Sequence, residues 1–157
     1  MLLSAVGRDK YGEKLLQQTA KPQLNLDYVL HSSDYRTGTY LAHLDVEGEL
    51  LGAIADMEIL TEIDVDYLRQ YRQLLETAAL LVIDTNLAEE AIDYLLELGT
   101  ESGVPTVVES VSVSKSRKLV GKLDQIDILT PNLEEIMEIL QLEAATAGVE
   151  EKIELVK

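Results

Sequence analysis

Hydrophobic and polar positions follow three rhythms along this chain, and each predicts a different kind of element. Leu2 to Val6 is a short apolar run that reads as a buried strand. Lys10 to Thr19 has helical spacing with Leu15 and Leu16 on the inner face, Asp9 in the capping position and Pro22 blocking continuation. Between residues 28 and 55 the rhythm shortens. Tyr28–His31, Thr39–Leu44 and Leu50–Ile54 are β-rich and are separated by Ser32-Ser33-Asp34, Arg36-Thr37-Gly38 and Glu47-Gly48. Polarity alternates along Tyr40 to Leu44, as in a half-exposed sheet, and the stretch predicts a small antiparallel meander.

From Asp64 onward the pattern alternates between helix and strand. Val65 to Glu76 is amphipathic through Leu68 and Leu75, and Leu80 to Asp84 is an apolar run ending in an acid. Leu87 to Leu98 is helical with Ala91, Leu95 and Leu98 on one side; Thr106–Glu109 and Ile126–Leu129 read as strands. Ser114–Lys122 and Asn132–Leu140 read as helices. Apolar strands alternating with helices predict an α/β fold with a parallel sheet and right-handed crossovers. Ligands of such sheets lie beyond the carboxyl ends of the strands, where "DTN" (84 to 86), "ESVS" (109 to 112) and "TPNLEE" (130 to 135) fall. The tail from 141 to 157 is acidic and expected to be helical from Val149.

Composition narrows the function classes. With 157 residues the chain is long enough for one domain with a real core. A formal charge of -16 makes nucleic acid and anionic membrane surfaces poor partners. A small anion remains possible where local dipoles or a metal overcome the global field. The absence of cysteine excludes disulfides, thiolate zinc sites and cysteine nucleophiles, and suits a cytoplasmic protein. The longest apolar run, Ala78 to Ile83, is far too short to cross a bilayer, and the N-terminus lacks a signal-peptide pattern. Without Trp or Phe the core must be aliphatic.

Each candidate motif also has a purely structural reading. Asn132-x-x-Glu135 has the spacing of a helix capping box, and spacing alone favours that role. Asp84-Thr85-Asn86, Ser112 or Ser114, and Asp9 are equally explicable as caps. His31 and His43 have no second ligand at metal spacing and read as solvated or partly packed strand residues. Glu89-Glu90, Glu134-Glu135 and Glu150-Glu151 read mostly as solvated helix faces. No nucleophile elbow, Walker loop or Gly-x-Gly-x-x-Gly loop occurs.

Taken in order, however, the motifs resemble a known family. "LLSAVGRDKYGEKLL" (2 to 16) resembles the Val-Gly-x-Asp-x-x-Gly segment of the ribokinase-like, PfkB-type sugar and nucleoside kinases. "YRTGTYLAHLDVEGELLGAIADMEIL" (35 to 60) resembles their β lid. "LLVIDTNL", "VPTVVESVSVSKSRKL" and "IDILTPNLEEIMEIL" follow in family order, most like the pseudouridine kinase branch. The resemblance covers nearly all of residues 1 to 140 and implies a ribokinase-like, Rossmann-type sheet with a small antiparallel lid. It divides the chain into a lid segment at about 28–55, α/β core segments at 1–27 and 56–140, and the tail at 141–157.

The resemblance also implies chemistry: ATP and magnesium as cofactors and a small ribosyl substrate. It places Asn132 and Glu135 near the metal and phosphates, where a carboxylate acts on magnesium, if need be through water, while still capping its helix. Thr37, Gly38, Thr39 and Tyr40 fall in the substrate lid, and Asn86 at a corner facing the cleft. The chain departs from the family at Glu109-Ser110, where Asp-Pro is common, and at Thr130, where Lys is frequent. It contains neither the earlier substrate-binding strand nor the Gly-Ala-Gly-Asp segment that supplies the anion hole and base. These residues alone are therefore expected to have little or no kinase activity. They are also expected to dimerise, to take up a complementary kinase fragment, or to be marginally stable. The rival expectation is a non-catalytic oligomerisation or interaction module.

Overall fold

The computed structural model describes residues 1–20 and 23–142, which form parts of two compact units, residues 1–67 and 68–157. In the first, β1 (Ser4–Gly7) leads through α1 (Lys10–Thr19) to β2 (Val29–Ser32). The two strands pair in parallel, with Ser4 opposite Val29 and Gly7 opposite Ser32. This corrects the expected three-stranded antiparallel meander: the first of its strands belongs to β1. A strand reached through an intervening helix returns parallel, whereas an antiparallel neighbour needs only a hairpin. Val29 and Ser32 are buried, as that inner position requires. α1 buries Gly12 rather than the expected leucine pair, Leu15 being exposed.

The antiparallel part is a two-stranded ribbon, β3 (Thr39–Leu44) with β4 (Leu50–Asp56). Leu41 faces Ile54 and Tyr40 faces Ala55, with a register irregularity between His43 and Leu44. The Asp45 carboxylate closes the hairpin by accepting from the N–H groups of Glu47 and Glu49. Every residue of β3 is exposed. A 3-10 turn at Glu58–Glu62 buries Ile59 and packs against β1.

In the second unit, the expected continuous helix over 65–76 is broken. α2 (Val65–Gln70), which spans the boundary between the units, and α3 (Arg72–Glu76) are separated at Tyr71, whose N–H bonds to Leu68 O and tightens the turn. The sheet then builds as β5 (Leu81–Asp84), α4 (Glu89–Ser102), β6 (Thr106–Glu109), α5 (Val113–Ser116), β7 (Ile128–Leu129) and α6 (Leu133–Ile139). Its strands run parallel in the order β5-β6-β7. The expected helix 114–122 is α5 followed by a 3-10 turn at Arg117–Leu119. α4 buries Ile92, Leu95, Leu96 and Leu98 and ends at Gly103, whose φ of 68° is readily adopted only without a Cβ. Among the described residues the buried hydrophobic side chains are aliphatic apart from Tyr67 and Met137. Residues 141 and 142 are not helical, and the rest of the expected tail helix lies outside the described residues.

Candidate functional site

The sequence candidates fall into two clusters, one in each unit. In the first, the β1–α1 turn holds the root of the ribbon. Asp9 caps α1, with Oδ1 accepting from Tyr11 N (3.0 Å) and Gly12 N (2.9 Å). The same carboxylate reaches 28 residues along the chain. Oδ2 accepts from Thr37 N at 2.8 Å, and Oδ1 from the Thr37 hydroxyl at 2.8 Å. Thr37 Oγ1 in turn accepts from the buried Gly7 N–H at 3.0 Å. Donors converging on one carboxylate, Thr37 N–H foremost, then Gly12 N–H and the Thr37 hydroxyl, lower its pKa to about 2.

This knot explains the glycines of the Gly-x-Asp-x-x-Gly pattern. A Cβ at Gly7 would lie 2.5 Å from Thr37 N, and one at Gly12 would lie 2.8 Å from Thr37 Oγ1. Thr37 is therefore buried with its hydroxyl committed, and Gly38 sits against Met57 Sδ. Thr39 and Tyr40 begin the exposed ribbon. The cap at Asp9 is legible locally. Its bond to Thr37 is not, although the two glycines flanking it signal a close backbone approach.

In the second cluster, "DTN", "ESVS" and "TPNLEE" do meet at the carboxyl ends of β5, β6 and β7. The Thr85 hydroxyl donates to Ser110 O at 2.6 Å, and Thr85 N to Glu109 O at 3.1 Å. The Ser110 hydroxyl donates to Glu135 Oε2 at 2.6 Å. Glu135 and Asn132 form a complete capping box. Asn132 Oδ1 accepts from Glu135 N at 2.9 Å, while Asn132 N and Nδ2 donate to Glu135 Oε2 and Oε1 at 3.0 and 2.9 Å. Glu135 is only 5% exposed, which corrects its expectation as a solvated helix face. A buried carboxylate needs such donors, and Ser110 and Asn132 supply them.

The Asp84 corner differs from its expected role as a helix cap. Ala88 occupies the N-cap of α4 without a side-chain bond, and Asp84 Oδ1 instead accepts from Asn86 N at 2.8 Å. Lys115 Nζ donates to Asn86 Oδ1. Lys118 Nζ donates to Thr85 O and Leu87 O at 2.8 and 2.6 Å. Burial, and then the charge of Lys115, lower the Lys118 pKa. Ser112 is the cap of α5, as one of the two alternatives had it.

The backbone between β6 and α5 is strained. Val111 has φ 62°, and Ser112 N bonds to Ser110 O at 2.6 Å, a three-residue turn in the left-handed region that β-branched residues avoid. Glu109 steadies it by accepting from Val111 N and from the Thr130 hydroxyl, which together lower the Glu109 pKa, Thr130 contributing most. Lys118 carries no periodic signal and has no role in the sequence reading, while Ser110 and Val111 enter it only as members of the rim stretch 109 to 112, without the contacts seen here.

Magnesium prefers six oxygen ligands, usually one or two carboxylates with waters and phosphates. Both Glu135 oxygens already accept hydrogen bonds, and Asn132 Oδ1 caps the helix. Among the described residues no three His, Asp or Glu side chains cluster as a metal site. Asn132 and Glu135 in this arrangement do not fit direct coordination of the ion. They do fit a rigid brace between α6 and the loop after β6. His31 and His43 are both exposed, and among the described residues no helix is long and apolar enough to cross a membrane.

A mixed α/β chain with a parallel sheet, an antiparallel ribbon and this rim of polar loops belongs to a definable class. The model of the pfkB family of carbohydrate kinases matches residues 1–157, and the chain belongs to that family. Among curated relatives, the pseudouridine kinase of Escherichia coli (strain K12) is 40% identical over 131 residues, 83% of this chain and 41% of the relative. A carbohydrate kinase from Agrobacterium tumefaciens superposes with a TM-score of 0.68 at 27% identity, covering 87% of this chain and 45% of that one. A ribokinase from Arabidopsis thaliana, solved with ribose and ATP, gives a TM-score of 0.75 at 18% identity over 98% of this chain and 49% of its own, a likeness of fold. The chain thus spans less than half the length of these relatives.

Proposed function

We propose that these residues are the scaffold and lid of a nucleoside kinase that transfers the γ-phosphate of ATP, with magnesium, to a ribosyl hydroxyl, in a cytoplasmic enzyme acting on pseudouridine or a close analogue. The observation that carries this reading is the 40% identity with the Escherichia coli pseudouridine kinase, spread over 83% of the chain. In it, the β3–β4 ribbon covers the substrate and excludes water, with Thr39 and Tyr40 presented to it. Thr37 and Gly38 are the pivot. Asn86 faces the cleft, and Asn132 with Glu135 holds the loop near the phosphates in place.

Phosphoryl transfer depends on positioning and charge neutralisation. These 157 residues contain no Gly-Ala-Gly-Asp segment, so we propose little turnover from them alone. Apolar surface left bare would then be taken up by a second copy or a complementary kinase fragment. A second reading, a non-catalytic interaction module, is favoured by the three protein hydrogen bonds that the Glu135 carboxylate already accepts.

A coupled ATP-consumption assay with pseudouridine, ribose and other nucleosides separates the readings. It is run on the chain alone and with the complementary portion of a relative. Turnover only in the mixture supports the scaffold reading, turnover from the chain alone contradicts the proposed division of labour, and none in either supports the module.

A further inference from the structure

The corner between β5 and α4 is gripped by two lysines from a later segment. Lys115 lies in α5 and Lys118 in the 3-10 turn that continues it, three positions apart and so on one side of the turn. Lys118 Nζ donates to Thr85 O at 2.8 Å and to Leu87 O at 2.6 Å, the carbonyls on either side of Asn86. Lys115 Nζ donates to Asn86 Oδ1. Asn86 N is committed to Asp84 Oδ1 at 2.8 Å. Thr85 is fully buried, its N–H and hydroxyl bonded to Glu109 O and Ser110 O. The half-buried Asn86 thus keeps one side-chain group, Nδ2, without a partner among the described residues. The oxygen and nitrogen of a carboxamide diverge from one carbon, so holding the oxygen on Lys115 turns the two Nδ2 donors away from it.

These lysines differ from their neighbours. Lys122 pairs with Glu89 and Asp93 at 2.9 and 2.5 Å, and Arg117 with Glu138 at 2.6 Å. Lys115 and Lys118 instead spend their charge on neutral oxygens, in a chain with 29 Asp and Glu residues. The arrangement opposes ionisation of Lys118, through burial first and then through the charge of Lys115. Two ammonium groups held close together without a carboxylate between them owe their place to what they hold.

We propose that Lys115 and Lys118 are positioning residues that fix the β5–α4 corner and turn the Asn86 amide so that its Nδ2 donors, not its oxygen, meet the nucleoside, which offers an oxygen acceptor there. This rests on the reading of the chain as part of a nucleoside kinase with Asn86 facing the cleft, and it gives that residue a hydrogen-bonding direction.

The test measures nucleoside affinity by calorimetric titration of this chain mixed with the complementary portion of a relative, as in the turnover assay. Asn86→Asp is the diagnostic substitution. It keeps the shape of the side chain and an oxygen for Lys115 but removes the donor, so pseudouridine binding falls about 10-fold or more. Lys115→Met and Lys118→Met each weaken binding about 3- to 10-fold, and in an Asn86→Ala background they cost no further affinity, because the group they orient is gone. Lys122→Met, which breaks the pairs with Glu89 and Asp93, leaves affinity unchanged. Urea midpoints verify that each variant folds. Titration with ribose locates the acceptor: a fall for both ligands in Asn86→Asp puts it on the ribosyl unit, and a fall for pseudouridine alone puts it on the base.

Undiminished or tighter binding by Asn86→Asp overturns the proposal, since the ligand would then be the donor. A loss in Lys115→Met or Lys118→Met that is equal with and without Asn86 overturns it too, since general destabilisation would explain it. Absence of binding by the wild-type mixture contradicts the kinase reading itself, and the proposal falls with it.

Discussion

Thr37→Val tests whether the ribbon is pivoted on the knot at its root. Valine keeps the shape of threonine, so no cavity opens, but it removes the acceptor for the Gly7 N–H and the donor to Asp9. The Gly7 amide is buried against residues 36 and 37 and gains no water in exchange. An orphaned buried N–H costs about 1–3 kcal/mol. With urea slopes of about 1–3 kcal/mol per molar, 2 kcal/mol lowers the unfolding midpoint by roughly 1 M. Thr37→Ser retains the hydroxyl and should lose much less. Urea titration followed by circular dichroism measures the shift, and hydrogen exchange at the Gly7 amide localises it, protection falling in the valine variant alone. A midpoint within about 0.2 M of wild type, or equal loss in the serine and valine variants, would refute the claim that this hydroxyl holds the fold together.

Asp9 makes the same knot sensitive to acid. Its folded pKa, near 2, lies below the ordinary 3.8, so its contribution is present above about pH 4 and fades as pH falls toward 2; the stability gap between wild type and Asp9→Asn should close over that window. A gap that stays constant from pH 5 to 2 would mean that the carboxylate is not the group responsible. At the strained turn, Val111→Gly relieves about 1–2 kcal/mol of left-handed backbone energy against about 0.5–1 kcal/mol of added chain entropy. The variant should be neutral or slightly stabilised in urea, and a loss above about 1 kcal/mol would show that the φ of 62° carries little strain. Asn132→Ala strips a cap and leaves Glu135 short of donors, so a loss of about 1–2 kcal/mol is expected by thermal or urea unfolding. An unchanged midpoint would make the capping box ornamental.

Local pattern carried the elements, and tertiary contact decided their partners. The apolar run at Leu81–Asp84, the amphipathic α4 and the Asn132–Glu135 box were readable because each is encoded within a few neighbouring residues. β2 looked like the start of a meander because short β-rich runs divided by turns do not say which strand they will join; its parallel pairing with β1 follows from the helix lying between them. Glu135 read as solvent-facing because its burial depends on Ser110, 25 positions earlier. The Asp9–Thr37 bond and the turn at Val111 are similarly long-range or conformational, and hydropathy has no means of recording them. Family resemblance supplied the candidate residues, while their hydrogen bonds indicate what each is free to do.

The hairpin of β3 and β4 has a further consequence for handling the protein. Among the described residues the two strands pair only with each other and leave two edges, and Leu41, Leu44, Leu51 and Ile54 place exposed aliphatic side chains between them. Such a hairpin is a template for sheet growth from one molecule to the next. Asp45, Glu47, Glu49 and Asp56 sit at its tip and end as gatekeepers, and their mutual repulsion is screened by salt. Concentrated samples should therefore keep best in dilute buffer, and added salt should bring turbidity sooner in wild type than in a chain with Leu41 and Ile54 made polar.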